Sequence, residues 1–164
     1  MIDSRYEIKF ILNSPQYSQA LKWLSFHTSA KEAYEPRTVN SIYFDDNNFS
    51  SVKDNLIGIS KRSKYRLRWY GEFAEQNPDE INFEIKSRVN RTGHKKRKKI
   101  TLNSNLNELK FSELQAILKK QLVTNFNFEK ALYPTLQVAY KRKYFEGSQG
   151  VRVTFDNDIK YYRT

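Results

Sequence analysis

The 164-residue sequence contains no cysteine, which excludes a disulfide framework and any thiolate-ligated metal site and fits a reducing compartment. It also lacks an apolar run near the roughly 18–20 residues that a membrane-spanning helix needs. The opening Met1-Ile2-Asp3-Ser4-Arg5 has no apolar h-region of the kind found in secretory signals. These absences create the expectation of a soluble, cytoplasmic protein. A Gly-rich phosphate loop is missing, as is any Ser–His or Cys–His arrangement that would activate a nucleophile. Neither His27 nor His94 stands in metal-ligand spacing. With no internal repeat, low-complexity tract or interdomain linker, residues 1–164 are expected to form a single domain with its own core.

Positive charge and aromatic side chains are abundant. Lys and Arg number 29 against 18 Asp and Glu, a formal net charge of +11, and 15% of residues are aromatic. Such a balance points to an anionic partner: phosphate, nucleic acid or a membrane surface. The aromatics fall in segments that alternate with period two, the spacing that puts one residue set on each face of a strand.

In Arg5–Phe10, Tyr6, Ile8 and Phe10 oppose Arg5, Glu7 and Lys9. Val39–Phe44 ends at the turn-forming Asp45-Asp46-Asn47-Asn48. Lys64–Tyr70 sets Tyr65, Leu67 and Trp69 against Lys64, Arg66 and Arg68. Ile81–Arg88 sets Ile81, Phe83 and Ile85 against Asn82, Glu84, Lys86 and Arg88. A turn near Thr92-Gly93 leads into Lys95–Lys99, whose register five consecutive cations leave open. Leu136–Phe145 carries Tyr140 and Arg142 on one face, and Val151–Asp156 carries Arg152, Thr154 and Asp156. Glu75–Asp79 reads as a loop between hairpin strands. Two helices interrupt the pattern. One has Ser14 as N-cap and Pro15 at N1, and the other has a capping box at Ser112 and Gln115 and buries Leu114, Ile117, Leu118 and Leu122. The fold class is α+β, mainly β.

A half-exposed antiparallel sheet also alternates apolar and polar residues, so alternation alone establishes only a solvated face. Here that face carries cations in strand after strand. Gathering like charges on one face costs self-repulsion that an anion would relieve. Arg can grip phosphate through two parallel hydrogen bonds, and Lys supplies a compact point charge. If the sheet curls into a barrel, these side chains line a polar lumen.

The ordered motifs Arg5-Tyr6-Glu7-Ile8-Lys9-Phe10, Ser41-Ile42-Tyr43-Phe44-Asp45-Asp46 with Phe49, Asp54 and Gly58, Lys64-Tyr65-Arg66-Leu67-Arg68-Trp69-Tyr70-Gly71, Phe83-Glu84-Ile85-Lys86-Ser87-Arg88, Tyr140-Lys141-Arg142-Lys143-Tyr144 and Arg152-Val153-Thr154-Phe155-Asp156 cover nearly the whole chain. In this order and spacing the sequence resembles the polyphosphate polymerase domain of the vacuolar transporter chaperone (VTC) family, a branch of the CYTH-like triphosphate tunnel metalloenzymes. The resemblance implies an antiparallel β-barrel tunnel, one that need not close completely, with short covering helices.

It implies that Lys9, Arg66, Arg68, Lys86 and Arg142 serve the γ-phosphoryl transfer from ATP to polyphosphate. Lys64, Arg88, Tyr140 and Arg152 would join them in holding ATP, triphosphate or polyphosphate. A divalent cofactor, Mn²⁺ or Mg²⁺, is implied as well. The family's metal-binding glutamate and a later tunnel lysine are expected beyond Thr164, on a partner segment or chain if not on this one. Glu7 and Glu84 are then the substitute metal candidates, and the plainer reading has them neutralise neighbouring cations. Asp156 is expected in a turn or an ion pair. The alternative function is a non-catalytic module for polyphosphate, an inositol polyphosphate or a nucleotide. Specific nucleic-acid binding is disfavoured because most aromatics alternate onto the face away from the cations.

Overall fold

The computed structural model describes residues 7–71, 80–90, 92–102, 106, 108–122 and 131–164. The elements run α1 (Ser14–His27), β1 (Lys31–Asp45), α2 (Ser50–Ile57), β2 (Lys61–Tyr70), β3 (Ile81–Val89), β4 (Thr92–Ile100), α3 (Phe111–Leu122), β5 (Tyr133–Glu146) and β6 (Arg152–Arg163). The six strands form one sheet in the order β4-β3-β2-β1-β5-β6, antiparallel in the β1–β2, β2–β3 and β3–β4 pairs. That linear order leaves the sheet unclosed among the described residues, the mainly β α+β class with an incomplete barrel. No described helix is long and apolar enough to cross a membrane.

The chain divides into two compact units, Pro36–Arg142 with Phe155–Thr164, and Met1–Glu35 with Lys143–Thr154. In the larger unit the apolar phase of the strands builds the core. Ile42 and Phe44 of β1, Leu67 and Trp69 of β2, Ile81 and Phe83 of β3 and Ile100 of β4 are buried with Leu114, Leu118 and Leu122 of α3. The α3 leucines recur at intervals of four, so one helical stripe covers the sheet's apolar side. Phe44 and Phe83 meet edge to face at 5.8 Å. In the smaller unit, α1 buries Leu24, and the Tyr34 and Tyr144 rings meet at 87° with centroids 5.8 Å apart.

Several local expectations are corrected. The cap of α1 is Asn13, whose side chain accepts from Gln16 N at 3.0 Å while Gln16 Oε1 accepts from Asn13 N at 2.9 Å. Ser14 is therefore the first helical residue. At α3 the Glu113 side chain accepts from Lys110 N at 3.1 Å, and Ser112 lies inside the first turn. A helix not anticipated, α2, follows the Asp45-Asp46 cluster. Buried Asp45 accepts from Ser51 N at 2.9 Å and Val52 N at 3.0 Å, Asp46 accepts from Ser50 N at 3.0 Å, and Phe49 takes a left-handed φ of 53°. Those carboxylates satisfy the amide groups that a helix start leaves without partners.

Glu7–Phe10, expected in a strand, has no regular structure, and Ile8 and Phe10 are exposed. Alternation permits a strand, but a strand also needs a neighbour for its backbone groups. Arg5, Tyr6 and the Glu75–Asp79 loop lie outside the described residues.

Candidate functional site

Register decides which side chains share a face. Cross-strand pairing sets Lys64 opposite Lys86 and Lys86 opposite Lys95. The next row on the same face is Tyr43, Arg66, Glu84 and Arg97, followed by Ser41, Arg68, Asn82 and Lys99. Directly opposed residues hold their Cβ atoms about 4.5–5.5 Å apart, close enough for like charges to destabilise the pair. Lys64, Lys86 and Arg88 are exposed, and among the described residues no carboxylate lies in ion-pair range of Lys64 or Lys86. The same register settles the Lys95–Lys99 stretch. Lys95, Arg97 and Lys99 join this face, while Lys98 turns to the other and donates to the Gln121 carbonyl at the end of α3.

At the centre of the array stands Glu84, 4% exposed. Its Oε2 accepts from Arg66 Nε at 2.7 Å and Nη2 at 2.6 Å, and its Oε1 meets Lys95 Nζ at 2.5 Å. Burial pushes the Glu84 carboxyl up, but hydrogen bonds and charge from Lys95 and Arg66 outweigh it and hold the group below its ordinary value. Burial likewise opposes charge on Arg66, and Glu84 with the Tyr43 hydroxyl more than offsets that, so the guanidinium pKa is raised. Both groups are charged at neutral pH.

A second network joins β2 to β5 and β6. Arg68 donates through Nε to Ser41 Oγ at 3.2 Å and through Nη2 to Tyr140 Oη at 3.3 Å. Arg142 lies 5.1 Å from the Tyr140 ring centroid and forks onto Asp156, Nε to Oδ1 at 2.6 Å and Nη2 to Oδ2 at 2.7 Å. Burial pushes the Tyr140 phenol up against the pull of Arg68 and Arg142, which keeps it a neutral hydroxyl. The guanidiniums of Arg66, Arg68 and Arg142 are thus oriented by protein partners, as preorganised electrostatic binding requires.

Lys64, Arg66, Arg68, Glu84, Lys86 and Arg88 lie on one face of β2 and β3, and Tyr140 and Arg142 connect to it through Arg68. Lys9 and Arg152 belong to the other unit. Lys9 is exposed 3.6 Å from Glu7, and Arg152 opens β6 at 3.7 Å from Glu146. Asp156 takes the ion-pair role. Ser41, Tyr43, Arg62, Lys95, Arg97 and Lys99 are face residues not singled out from sequence: the phase of apolar neighbours carried the signal for Ser41, Tyr43 and Arg62, whereas Lys95, Arg97 and Lys99 show their face only in the pairing with β3.

Among the described residues the donor set does not suit a resident metal. Both Glu84 oxygens are engaged by cations, Glu7 stands exposed beside Lys9, and among the described residues no group of three or more His, Asp or Glu side chains converges.

Compared with known proteins, residues 4–164 match the family model described as "VTC domain". The chain is also similar to vacuolar transporter chaperone complex subunit 2 of Saccharomyces cerevisiae, 26% identical over 174 aligned positions. That alignment takes in 84% of this chain and 20% of the yeast protein, so the chain spans about a fifth of its relative's length.

Proposed function

Because the chain belongs to the VTC domain family, we propose that its cation-lined sheet face binds a chain of phosphates, inorganic polyphosphate or the triphosphate of ATP, and serves polyphosphate synthesis by holding that chain. The observation that carries this reading is the direct opposition of Lys64, Lys86 and Lys95 across three strands. A solvated surface gains nothing from such a row, whereas a polyanion converts its repulsion into attraction. Beside it, oriented Arg66, Arg68 and Arg142 present planar donors matched to phosphate oxygens.

Transfer of the γ-phosphoryl of ATP to the end of a bound chain is the finer form of this proposal. Phosphoryl transfer depends on positioning and charge stabilisation more than on a nucleophilic side chain. Held guanidiniums supply both: they fix the phosphate oxygens and offset the charge that develops on them. The charge that meets the phosphate here is that of the lysines and arginines.

The test is a titration of the chain with polyphosphate and, at equal phosphate concentration and salt, with duplex DNA. Polyphosphate should bind far more tightly, and both affinities should fall with salt. Equal binding of the two would reduce the site to general basicity. Incubation with ATP and Mn²⁺, followed by a search for new polyphosphate, separates synthesis from binding.

A further inference from the structure

We propose that Glu84 makes this face selective for long phosphate chains over tripolyphosphate, by holding a fixed negative charge between two cation clusters that only a longer chain can bridge. The inference rests on the phosphate-binding reading above and adds the length of the ligand to it.

On one side of Glu84 stand Lys64 and Lys86, and on the other Arg68 and Lys99. Four residues of β2 separate Lys64 from Arg68, about 13–14 Å at the usual strand rise. Between them Glu84 pairs with Arg66 and Lys95 and stands opposite Arg97, so the middle row is the least positive of the three. An anion set down at Arg66 meets a buried carboxylate in the same hydrogen-bonded group, where water screens poorly. A tripolyphosphate is shorter than this backbone separation. It occupies one cluster and leaves the cations of the other without a phosphate. A longer chain reaches both and passes Glu84 with its middle portion. Affinity should therefore climb in a step as length first spans the clusters, beyond the smooth growth that comes from the number of ways a long chain can lie on one site.

Titrating the whole chain with tripolyphosphate and with sized polyphosphates at one low salt concentration reads this directly. After correction for the number of lying positions, the step should be about tenfold or more, the worth of one charge-assisted hydrogen bond. Glu84→Gln keeps the shape and an acceptor for Arg66 but removes the charge. It should raise tripolyphosphate affinity about tenfold and long-chain affinity by less than about threefold, which collapses the step. Smooth growth with length in the unmodified chain, or an equal gain at both lengths in Glu84→Gln, overturns the proposal while phosphate binding stands. Binding of neither length overturns the phosphate-binding reading and this proposal with it. Should Glu84→Gln not fold, the length series on the unmodified chain decides alone.

Discussion

Replacing Lys86 by Gln should make the ligand-free protein more stable and its binding weaker. Lys86 faces Lys64 on one side and Lys95 on the other. Each directly opposed like-charge pair destabilises a sheet by roughly 0.2–1 kcal/mol. Lys95 is bound to Glu84, which cancels part of its repulsion, so Lys64 supplies the larger share. The expected gain is about 0.3–1.5 kcal/mol, which for a chain of this size raises Tm by roughly 1–6 °C. Melting at low salt measures it, and the gain should vanish near 1 M salt, where the Debye length falls to about 3 Å. Polyphosphate affinity should drop about tenfold or more with the loss of one charge-assisted contact. A variant that is less stable at low salt and binds polyphosphate unchanged would refute the view that this row is held together against its own repulsion for the sake of an anion.

Phe83→Ala empties the centre of the core between Phe44 and α3 and should cost about 3–5 kcal/mol in urea unfolding. Asp45→Ala removes the acceptor for the first amides of α2 and should cost about 1–2 kcal/mol, with faster hydrogen exchange at Ser51 and Val52 but not in β2. The folded Glu84 carboxyl sits below its ordinary value of 4.5. Its contribution to stability is therefore complete above that pH and is lost as pH falls through the lowered folded value. Glu84→Gln should flatten that part of the acid limb, and superimposable acid limbs would show that the carboxylate is not held by Arg66 and Lys95 in solution.

The strands that sequence patterning located best are those whose apolar phase is strong. Leu67 and Trp69 in β2, and Ile81 and Phe83 in β3, commit one face to the core and thereby commit Arg66, Arg68, Glu84 and Lys86 to the other. In Lys95–Lys99 no apolar residue marks the phase, so the face could be read only from pairing with β3. Helix α2 buries none of its residues. It has no stripe for a period of 3.6 to reveal, and its start is made by two aspartates that read equally well as a turn. Arg5–Phe10 shows the converse: a clear alternation whose described part, Glu7–Phe10, forms no strand. The link from Arg68 to Tyr140 joins residues 72 positions apart, and alternation carries no information about which distant residues meet; Arg142 and Asp156 stand on the consecutive strands β5 and β6, 14 positions apart, yet their fork too depends on a pairing that alternation does not fix.

The β3–β4 hairpin is nearly degenerate in a way the rest of the sheet is not. A one-residue slip elsewhere would drive Leu67 or Phe83 into water, so hydrophobic burial forbids it. In β4 a slip exchanges lysine for lysine and is opposed mainly by Ile100, by Lys98 at the end of α3, and by the turn in which Asn90 takes a φ of 54°. A single deletion at that turn would therefore leave most of the core intact while bringing Lys96 and Lys98 round beside Glu84. Insertions and deletions there act as a dial on the ligand face, changing its electrostatic pattern without any substitution within it.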